Sequence, residues 1–323
     1  IESHILSIYL LAAPDFLGYE SAFAMAKDHP DELRRGLALK RLGNDIVALL
    51  GGREIHPISV RVGGFWRVPT KGELAPLVER LKKGKEEALR TVEWVAKLPL
   101  PDLTLDREFV ALSHPDEYAM NEGRVVSSKG LDIPVREFEN YFVEEQAPYS
   151  TALHASLKGR GAYFVGPLAR VNLNFDRLTA DAQSAARATG IPFPNANPFT
   201  SIVARAIEVL HAVDEARQIV ESYERPAPFV AVRPRAATGR GLTEAPRGML
   251  YHRYELDERG MVKAARLVPP TAQNQRQIEE DLRAYALQVV GLPPEEATRR
   301  CETVVRNYDP CISCSTHALR HDP

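Results

Sequence analysis

The stretch that most constrains this chain is a metal-binding pattern near its C-terminus, Asp309-Pro310-Cys311-Ile312-Ser313-Cys314-Ser315-Thr316-His317. Two thiolates three residues apart can bind one soft metal from the same side, and the histidine offers a third ligand. The proline fixes the backbone where the chain enters this loop. A Cys-x-x-Cys pair by itself is also compatible with a structural zinc site or a redox pair. The pattern predicts a metal site around which the rest of the chain is organised.

Composition places the chain among ordinary globular proteins. Of its 323 residues, 44% are hydrophobic and 26% are charged, as in ordinary soluble proteins. A chain of this length and hydrophobic fraction can form a substantial core. Lys and Arg number 41 against 43 Asp and Glu, a net charge of −2, so the charge balance predicts neither nucleic acid nor an anionic membrane as a partner. No apolar run approaches the roughly 18 residues of a membrane span. Three cysteines argue against a disulfide framework and for a reducing compartment, so we expect a cytoplasmic protein.

Helical patterns dominate the chain. Apolar residues at helical spacing, together with proline, glycine and capping residues, predict where helices begin and end. Asp31 is the expected N-cap of one of them, and the asparagines of 195–197 cap another. The predicted helices are residues 1–13 ending at Pro14, 17–27 ending near Pro30, 31–50, a long helix from 73, 199–223 and 293–307.

Short alternating stretches predict hairpins at the margin of the helices. They are 58–62 before Gly63-Gly64, 118–120 and 124–126 around Asn121-Glu122-Gly123, a strand at 162–165 continued by 165–172, and 254–256 with 263–268. The sequence therefore predicts a mainly α fold, a multi-helix bundle with small antiparallel β hairpins. Residues 1–323 are expected to form a single domain.

Three further strings occur upstream of the terminal motif: Gly166-Pro167-Leu168-Ala169-Arg170, Glu244-Ala245-Pro246-Arg247-Gly248 and Val268-Pro269-Pro270-Thr271-Ala272-Gln273-Asn274-Gln275. Each string alone is typical of a turn. With the terminal motif, and in this order, they make the chain resemble the large subunit of nickel-iron hydrogenases, which end in Asp-Pro-Cys-x-x-Cys-x-x-His. The resemblance covers nearly the whole chain and is greatest to the cytoplasmic, multi-subunit NAD(P)-coupled and sulfhydrogenase-like types.

The resemblance implies a role for each matching residue. Cys311 would be a terminal thiolate of nickel and Cys314 a thiolate bridging nickel and iron. His317 would bind a magnesium ion, with the backbone carbonyl of Arg266 as a second ligand. Residues around the iron and its carbon monoxide and cyanide ligands would be Ala245, Pro246, Val268, Pro269, Pro270 and Thr271.

Arg247 is implied to stand over the metals. A guanidinium keeps its charge in a dry cavity and offers a planar fork of donors, so it can orient or polarise a small ligand such as hydrogen. The alternative for an isolated arginine is a surface ion pair. His4 and Cys301 are expected to be packing residues without a catalytic role.

The implied reaction is the reversible oxidation of hydrogen. Electrons would leave through the clusters of an iron-sulfur small subunit and continue through flavin- and NAD(P)-binding diaphorase subunits. A maturation protease would cut after His317, so that residues 318–323 are removed.

One departure concerns the N-terminal region. The family's Arg-x-Cys-Gly-x-Cys motif and the magnesium carboxylate do not occur in this sequence, which begins at Ile1. We therefore expect an N-terminal truncation and an inactive fragment. The alternatives are a quinone-reductase subunit of the complex I type, which shares the fold but needs no metal thiolates, and a structural protein with a C-terminal zinc site.

Overall fold

The structure is a computed structural model and describes residues 1–311. The chain groups into two compact units, and each unit contains three separate segments. Unit 1 comprises residues 1–99, 179–191 and 205–235, and unit 2 comprises residues 100–178, 192–204 and 236 onward. The single domain expected from the sequence stays a prediction.

Helices and short antiparallel strands alternate along the described residues. The α-helices are α1 (Glu2–Leu6), α2 (Ala13–Leu17), α3 (Ala22–Met25), α4 (Pro30–Gly51), α5 (Lys71–Val95), α6 (Phe138–Tyr141), α7 (Pro167–Asn174), α8 (Ala180–Ala188), α9 (Ser201–Glu221), α10 (Pro270–Val289) and α11 (Pro294–Asn307). The strands are β1 (Val60–Arg61), β2 (Gly64–Phe65), β3 (Val110–Ser113), β4 (Arg124–Ser127), β5 (Asp132–Pro134), β6 (Phe142–Gln146), β7 (Leu153–Leu157), β8 (Ala237–Ala245), β9 (Gly248–Leu256) and β10 (Val262–Val268). The predicted fold class, mainly α with small antiparallel hairpins, is confirmed.

The long helix α5 shows why the helical predictions of unit 1 succeed. It begins at a capping box. The Thr70 hydroxyl accepts a hydrogen bond from the Glu73 backbone N–H (3.2 Å), and the Glu73 carboxylate accepts one from the Thr70 N–H (2.8 Å). These two bonds satisfy N–H groups that the helix itself leaves unpaired. Its predicted apolar stripe is largely buried, at Leu74, Leu77, Leu81, Val92 and Val95.

The N-terminal helical segment departs from the prediction. Pro14 does not end it, because Pro14 lies in the first turn of α2, where a missing N–H costs little. A π-helical turn at Ser7–Ala12 precedes α2, and the segment ends at Gly18, whose φ is 80°. The helix predicted for 17–27 is reduced to α3, and α4 begins at Pro30 with His29, rather than Asp31, at its N-cap.

Unit 2 combines helices with three small antiparallel sheets. The strand orders are β10-β9-β8, β3-β4-β5 and β6-β7. One core joins buried side chains from all three sheets, including Val110, Val125, Ala155, Met249 and Tyr251. The predicted hairpin of 254–256 and 263–268 is confirmed as β9 and β10.

Two local predictions in unit 2 were wrong. Residues 118–120 are not a strand, and β4 pairs instead with β3. The run 165–172 was predicted to continue a strand, but α7 begins at Pro167, because a proline at the first helical position needs no N–H partner. Within residues 1–311, no helix combines the length and apolar character needed to cross a bilayer.

Candidate functional site

The residues singled out in the sequence meet in unit 2 at the ends of four elements. Ala245 ends β8, and Pro246 and Arg247 form the turn into β9. Val268 ends β10, and Thr271 lies in the first turn of α10. The stretch 309–311 follows directly after α11. The predicted cofactor-binding and catalytic residues within 1–311 therefore belong to one unit.

Two glycines allow the turn at Arg247 to approach the start of α7. Gly248 has a φ of 138°, and a Cβ there would lie 2.5 Å from a methyl group of Val165. Gly166 has a φ of 116°, and its Cβ would lie 2.8 Å from the Arg247 carbonyl oxygen. Side chains rarely adopt these φ values and have no room here. Gly166 and Gly248, from two separate motifs, thus allow the backbone at Arg247 to lie close to the backbone at Val165 and Gly166.

Arg170 fixes the loop that carries the predicted cofactor-binding residues. Its guanidinium donates to the Glu244 carboxylate (3.0 Å) and to the carbonyl oxygens of Ala245 (2.8 Å) and Pro246 (3.0 Å). Arg170 is 2% exposed, and the other Glu244 oxygen accepts a hydrogen bond from the Leu112 N–H (2.8 Å). Sequence reasoning matched Arg170 to the family pattern but did not assign it this role.

Arg247 binds the first residue of the terminal motif. Its Nε donates to the backbone carbonyl of Asp309 (2.6 Å), and its Nη2 lies 3.2 Å from Asp309 Oδ1. The Asp309 side chain is 3% exposed and that of Arg247 is 29% exposed. Asp309 also has a φ of 53°, a conformation that Asp tolerates better than most residues. The contact orients the backbone that leads to Cys311.

Cys311 reaches the first turn of α10. Its backbone N–H donates to the Thr271 hydroxyl (3.1 Å). Thr271, Val268 and Pro270 are buried, and Pro269 is half-buried at the N-cap of α10. The structure thus brings Cys311 to the predicted apolar lining.

A buried ionic network that the sequence did not reveal anchors the same segment. Asp281 is fully buried and accepts hydrogen bonds from Arg107 Nη2 (2.7 Å), the Tyr308 hydroxyl (2.5 Å) and Gln277 (2.9 Å). Burial, reinforced by the Asp281 charge, raises the pKa of Tyr308 well above its usual range. Arg107 also donates to the Ala196 carbonyl (2.5 Å). An available signal was the position of Asp281 three residues after Ile278 and four before Tyr285, at helical spacing from two apolar residues.

Two buried amides of α10 hold neighbouring backbones in place. Asn274 accepts from the Val165 N–H (2.9 Å) and donates to the Val165 carbonyl (3.0 Å). Gln273 donates to the carbonyls of Met249 (2.5 Å) and Val268 (3.1 Å). The polar residues of the Ala-Gln-Asn-Gln string therefore link α10 to the ends of β9 and β10 and to the start of the α7 region.

The predicted magnesium site is only partly described. The Arg266 side chain pairs with Glu139 (3.1 Å) and Glu144 (3.3 Å), and the role of its backbone carbonyl in binding magnesium stays a prediction. Cys314 and His317 lie outside the described residues, as does the proposed cleaved segment 318–323.

The donor chemistry of the described part suits one edge of a nickel site. When reduced, Cys311 would supply a soft thiolate, while Arg247 provides a permanent cation and Thr271 a hydroxyl beside apolar side chains. Among residues 1–311, no group of three His, Cys, Asp or Glu side chains is close enough to hold a metal.

Comparison with known proteins places these motifs in a family. Residues 135–317 match the family described as nickel-dependent hydrogenase. The alpha subunit of sulfhydrogenase 1 from Pyrococcus furiosus is 32% identical over 334 residues, which cover 99% of this chain and 76% of that protein. The beta subunit of the NAD-reducing hydrogenase HoxS from Cupriavidus necator is 28% identical over 368 residues, covering 100% of this chain and 74% of that protein.

Solved structures show the same architecture. An NAD+-reducing [NiFe]-hydrogenase in its H2-reduced state matches with a TM-score of 0.85 at 26% identity, covering 98% of this chain and 77% of that one. A [NiFeSe] hydrogenase variant from Desulfovibrio vulgaris Hildenborough matches with a TM-score of 0.74 at 22% identity, covering 98% and 78%. The second likeness concerns the fold alone.

Proposed function

From the premise that this chain belongs to the nickel-dependent hydrogenase family, we infer that it is the large subunit that catalyses the reversible oxidation of H2 to protons and electrons. The family match includes the terminal motif with both of its cysteines. A quinone reductase of the complex I type needs no metal thiolates, and a structural zinc protein needs none of the upstream motifs. The hydrogenase function is therefore favoured over both alternatives.

The metals would be held by the terminal motif and its surroundings. Cys311 would bind nickel, Cys314 would bridge nickel and iron, and His317 with the Arg266 carbonyl would bind magnesium. The iron's carbon monoxide and cyanide ligands would lie against Ala245, Pro246, Val268, Pro269, Pro270 and Thr271. When bound, the nickel-iron centre supplies the soft, redox-active site at which H2 is split heterolytically.

The chain's own residues prepare that site. Arg247, held by Asp309, presents its remaining N–H groups in a fixed direction, so it can orient H2 or a small ligand without reorganisation. The Thr271 hydroxyl accepts from the Cys311 N–H and retains its own proton to donate to an acceptor beside it, such as a cyanide nitrogen. Apolar Val268 and the two prolines exclude water, which strengthens these interactions.

The electron route belongs to other subunits. We propose an iron-sulfur small subunit as the direct acceptor, followed by flavin- and NAD(P)-binding diaphorase subunits. The proposal is supported by the names of the relatives, which are subunits of a sulfhydrogenase and of an NAD-reducing hydrogenase. We further propose that a maturation protease cuts the chain after His317 and that the protein is cytoplasmic.

The observation that carries this function is the joint placement of Arg247, Thr271 and Cys311, through the contacts of 2.6 Å to Asp309 and 3.1 Å to Thr271. The test is metal analysis and hydrogen-dependent dye reduction of the protein purified anaerobically with its partner subunits. Nickel is expected together with iron and activity, with iron in excess of nickel because the small subunit's clusters also contain iron. Zinc alone, with no dye reduction, would overturn the function.

A further inference from the structure

Arg247 lies in a tight hairpin turn that its own sequence does not favour. Strands β8 and β9 pair as far as Ala245 and Gly248, so Pro246 and Arg247 are the two central residues of the turn. Two-residue hairpin turns that match the twist of the strands need a positive φ at the first or at both central residues, where glycine or asparagine usually stands. A proline ring instead fixes φ at about −65°, and within this fully described turn no residue other than glycine has a positive φ. We therefore expect contacts from outside the turn to hold it in shape.

Arg170 of α7 provides such contacts. Its Nη1 donates to the carbonyl oxygen of Ala245 (2.8 Å) and its Nη2 to that of Pro246 (3.0 Å). These oxygens belong to the peptide groups on either side of Pro246, and the second of these groups leads into Arg247. A peptide group that rotated would turn its oxygen away from the guanidinium, so the planar fork opposes rotation of both. The orientation of the second peptide group sets the direction in which the Arg247 side chain leaves the backbone.

Arg170 is itself held on a rigid support. Its guanidinium pairs with Glu244 (3.0 Å), and the two side chains are 3% and 0% exposed. Its backbone N–H donates to the Gly166 carbonyl (3.0 Å). Its carbonyl accepts from Asn174 Nδ2 (3.3 Å), which also donates to the carbonyl of Leu112 in β3 (2.9 Å). A functional group is placed accurately when the residue behind it is fixed in this way.

Arg247 is held at both of its ends. Its side chain is 29% exposed, so burial alone does not fix it. Its Nε donates to the carbonyl of Asp309 (2.6 Å), which fixes the far end of the side chain. Its backbone lies against Gly166, where a Cβ would be 2.8 Å from the Arg247 carbonyl oxygen. Gly166 and Arg170 are thus the part of the α7 region that fixes the backbone end of Arg247.

We propose that Arg170 is a positioning residue for hydrogen activation, which sets the direction of the Arg247 side chain by binding the two peptide groups that precede it. This inference rests on the proposed function, which gives Arg247 its role. It goes further, because the buried pair with Glu244 alone would make Arg170 only a structural residue. Lysine can keep a charge opposite Glu244 but has no planar fork with which to bind two carbonyl oxygens at once.

The first test compares Arg170→Lys with the wild type in the enzyme purified anaerobically with its partner subunits. The kcat and KM for H2 are measured by dye reduction, and nickel and iron by metal analysis. Arg170→Lys should lower kcat by about tenfold or more, because a small misplacement of a group at the reacting atoms has a large effect. It should leave KM and the metal content unchanged. A folded Arg170→Lys enzyme with the wild-type kcat would overturn the inference.

The matched control is Arg177→Lys, the same substitution at an arginine just after α7. The Arg177 side chain is 39% exposed and pairs with the neighbouring Asp176 (3.5 Å). Arg177→Lys should leave kcat, KM and metal content unchanged, because no residue of the candidate site depends on this pair.

A double-mutant cycle separates positioning from a general loss of stability. In the Arg247→Lys background, Arg170→Lys should change kcat by less than about twofold, because the planar group that Arg170 positions is no longer there. An equal loss of kcat in both backgrounds would show that the two residues act independently, and it would overturn the inference.

A second variant covers the case in which lysine does not support folding. Arg170→Met combined with Glu244→Gln removes both buried charges, and the glutamine oxygen can still accept from the Leu112 N–H. The double variant should recover most of the urea midpoint that Arg170→Met alone loses, because no charge is left buried and unpaired. Its kcat should stay low, since the bonds to the two carbonyl oxygens are still missing. Recovery of both stability and kcat would make Arg170 purely structural and overturn the inference.

Hydrogen exchange gives a readout that does not depend on turnover. The backbone amides of residues 247–249 should exchange faster in Arg170→Lys than in the wild type, whereas those of 257–261, in the turn between β9 and β10, should be unchanged. Unchanged exchange at 247–249 would overturn the inference and leave the proposed function intact. A wild-type enzyme that contains zinc alone and reduces no dye would overturn the proposed function, and this inference with it.

Discussion

The Tyr308 hydroxyl donates a hydrogen bond of 2.5 Å to the carboxylate of Asp281, and both residues are buried. Tyr308 comes three residues before Cys311, so this bond fixes the backbone immediately upstream of the proposed nickel thiolate. Tyr308→Phe should lower the free energy of unfolding by about 1.5–3 kcal/mol, the value of a hydrogen bond to a charged group. It should also reduce nickel retention, measured by metal analysis after dialysis.

Tyr285→Phe is the control for this change, because Tyr285 is a tyrosine of similar burial in the same unit, packed against Phe199. It should leave the nickel content unchanged. If Tyr308→Phe lost stability but kept both its nickel and the wild-type nickel EPR spectrum, the bond would be purely structural.

Arg247→Lys should leave the metal content unchanged and lower turnover by on the order of a hundredfold or more, the effect of losing one preorganised electrostatic group. Lysine keeps the charge but not the planar fork that binds Asp309. Hydrogen-dependent dye reduction and metal analysis measure the two quantities. Arg259→Lys, in the exposed turn between β9 and β10, is the matched control. Normal turnover in Arg247→Lys would return this arginine to a surface role.

Cys311→Ser should abolish hydrogen uptake and nickel binding, because a hard alkoxide does not replace a soft thiolate. It should also block processing at the C-terminus, which mass spectrometry of the intact chain detects. Cys301→Ser is the control, since Cys301 lies half-buried on α11 away from the motif. A Cys311→Ser protein that still bound nickel stoichiometrically would contradict the ligand assignment.

Arg170→Met should lower the free energy of unfolding by about 3–5 kcal/mol, because it leaves the carboxylate of Glu244 buried without its cation. The two side chains are 3% and 0% exposed. Arg300→Met removes an exposed partner of Glu296 on α11 and should change stability by less than about 1 kcal/mol. Urea unfolding of both variants compares the two values, and equal losses would show that Arg170 and Glu244 are not coupled.

The free energy of unfolding should decrease as the pH falls, because His211 becomes protonated. Burial lowers the pKa of this histidine, although the carboxylates of Glu215, Glu208 and Asp214 oppose the shift. Its Nδ1 accepts a hydrogen bond from the Thr179 N–H (3.2 Å), which the protonated ring cannot do. Because the folded pKa lies below the unfolded value of about 6.5, the unfolded chain binds the proton first. The contribution is complete above about pH 6.5 and is lost as the pH falls through the folded value.

The measurement is the free energy of unfolding in urea between pH 5 and 8 for the wild type and His211→Asn. The variant should lose less stability on acidification, because the asparagine carbonyl can accept from Thr179 without titrating. Exposed His56→Asn is the control. Parallel pH profiles for wild type and His211→Asn would contradict the prediction.

The sequence predicted those parts of the fold that depend on local pattern. The long helix α5 has a capping box and a regular apolar stripe, so neighbouring residues alone specify it. The run 165–172 shows the limit, because valine and glycine followed by proline suit either a strand or a helix start, and contacts of Gly166 with Arg247 decide between them. Helix α10 was not predicted, since its first turns carry buried amides in place of an apolar stripe.

In the candidate site, too, local motifs predicted some residues, while others could be identified only from the fold. Motif strings identified Arg247, Thr271 and Cys311, which the structure brings together. Arg107 and Asp281, which anchor Tyr308 just upstream of Cys311, lie far apart in sequence, and each taken alone resembles a solvated charge. Only the fold shows that these charges are buried against each other.

Residues 307–311 are held by side chains and carbonyls at 198, 247, 271 and 281, and all of these are translated before the segment they hold. The cysteine segment therefore reaches a surface that the earlier parts of unit 2 can already have formed. Closing the site is then a docking step that follows the folding of that surface.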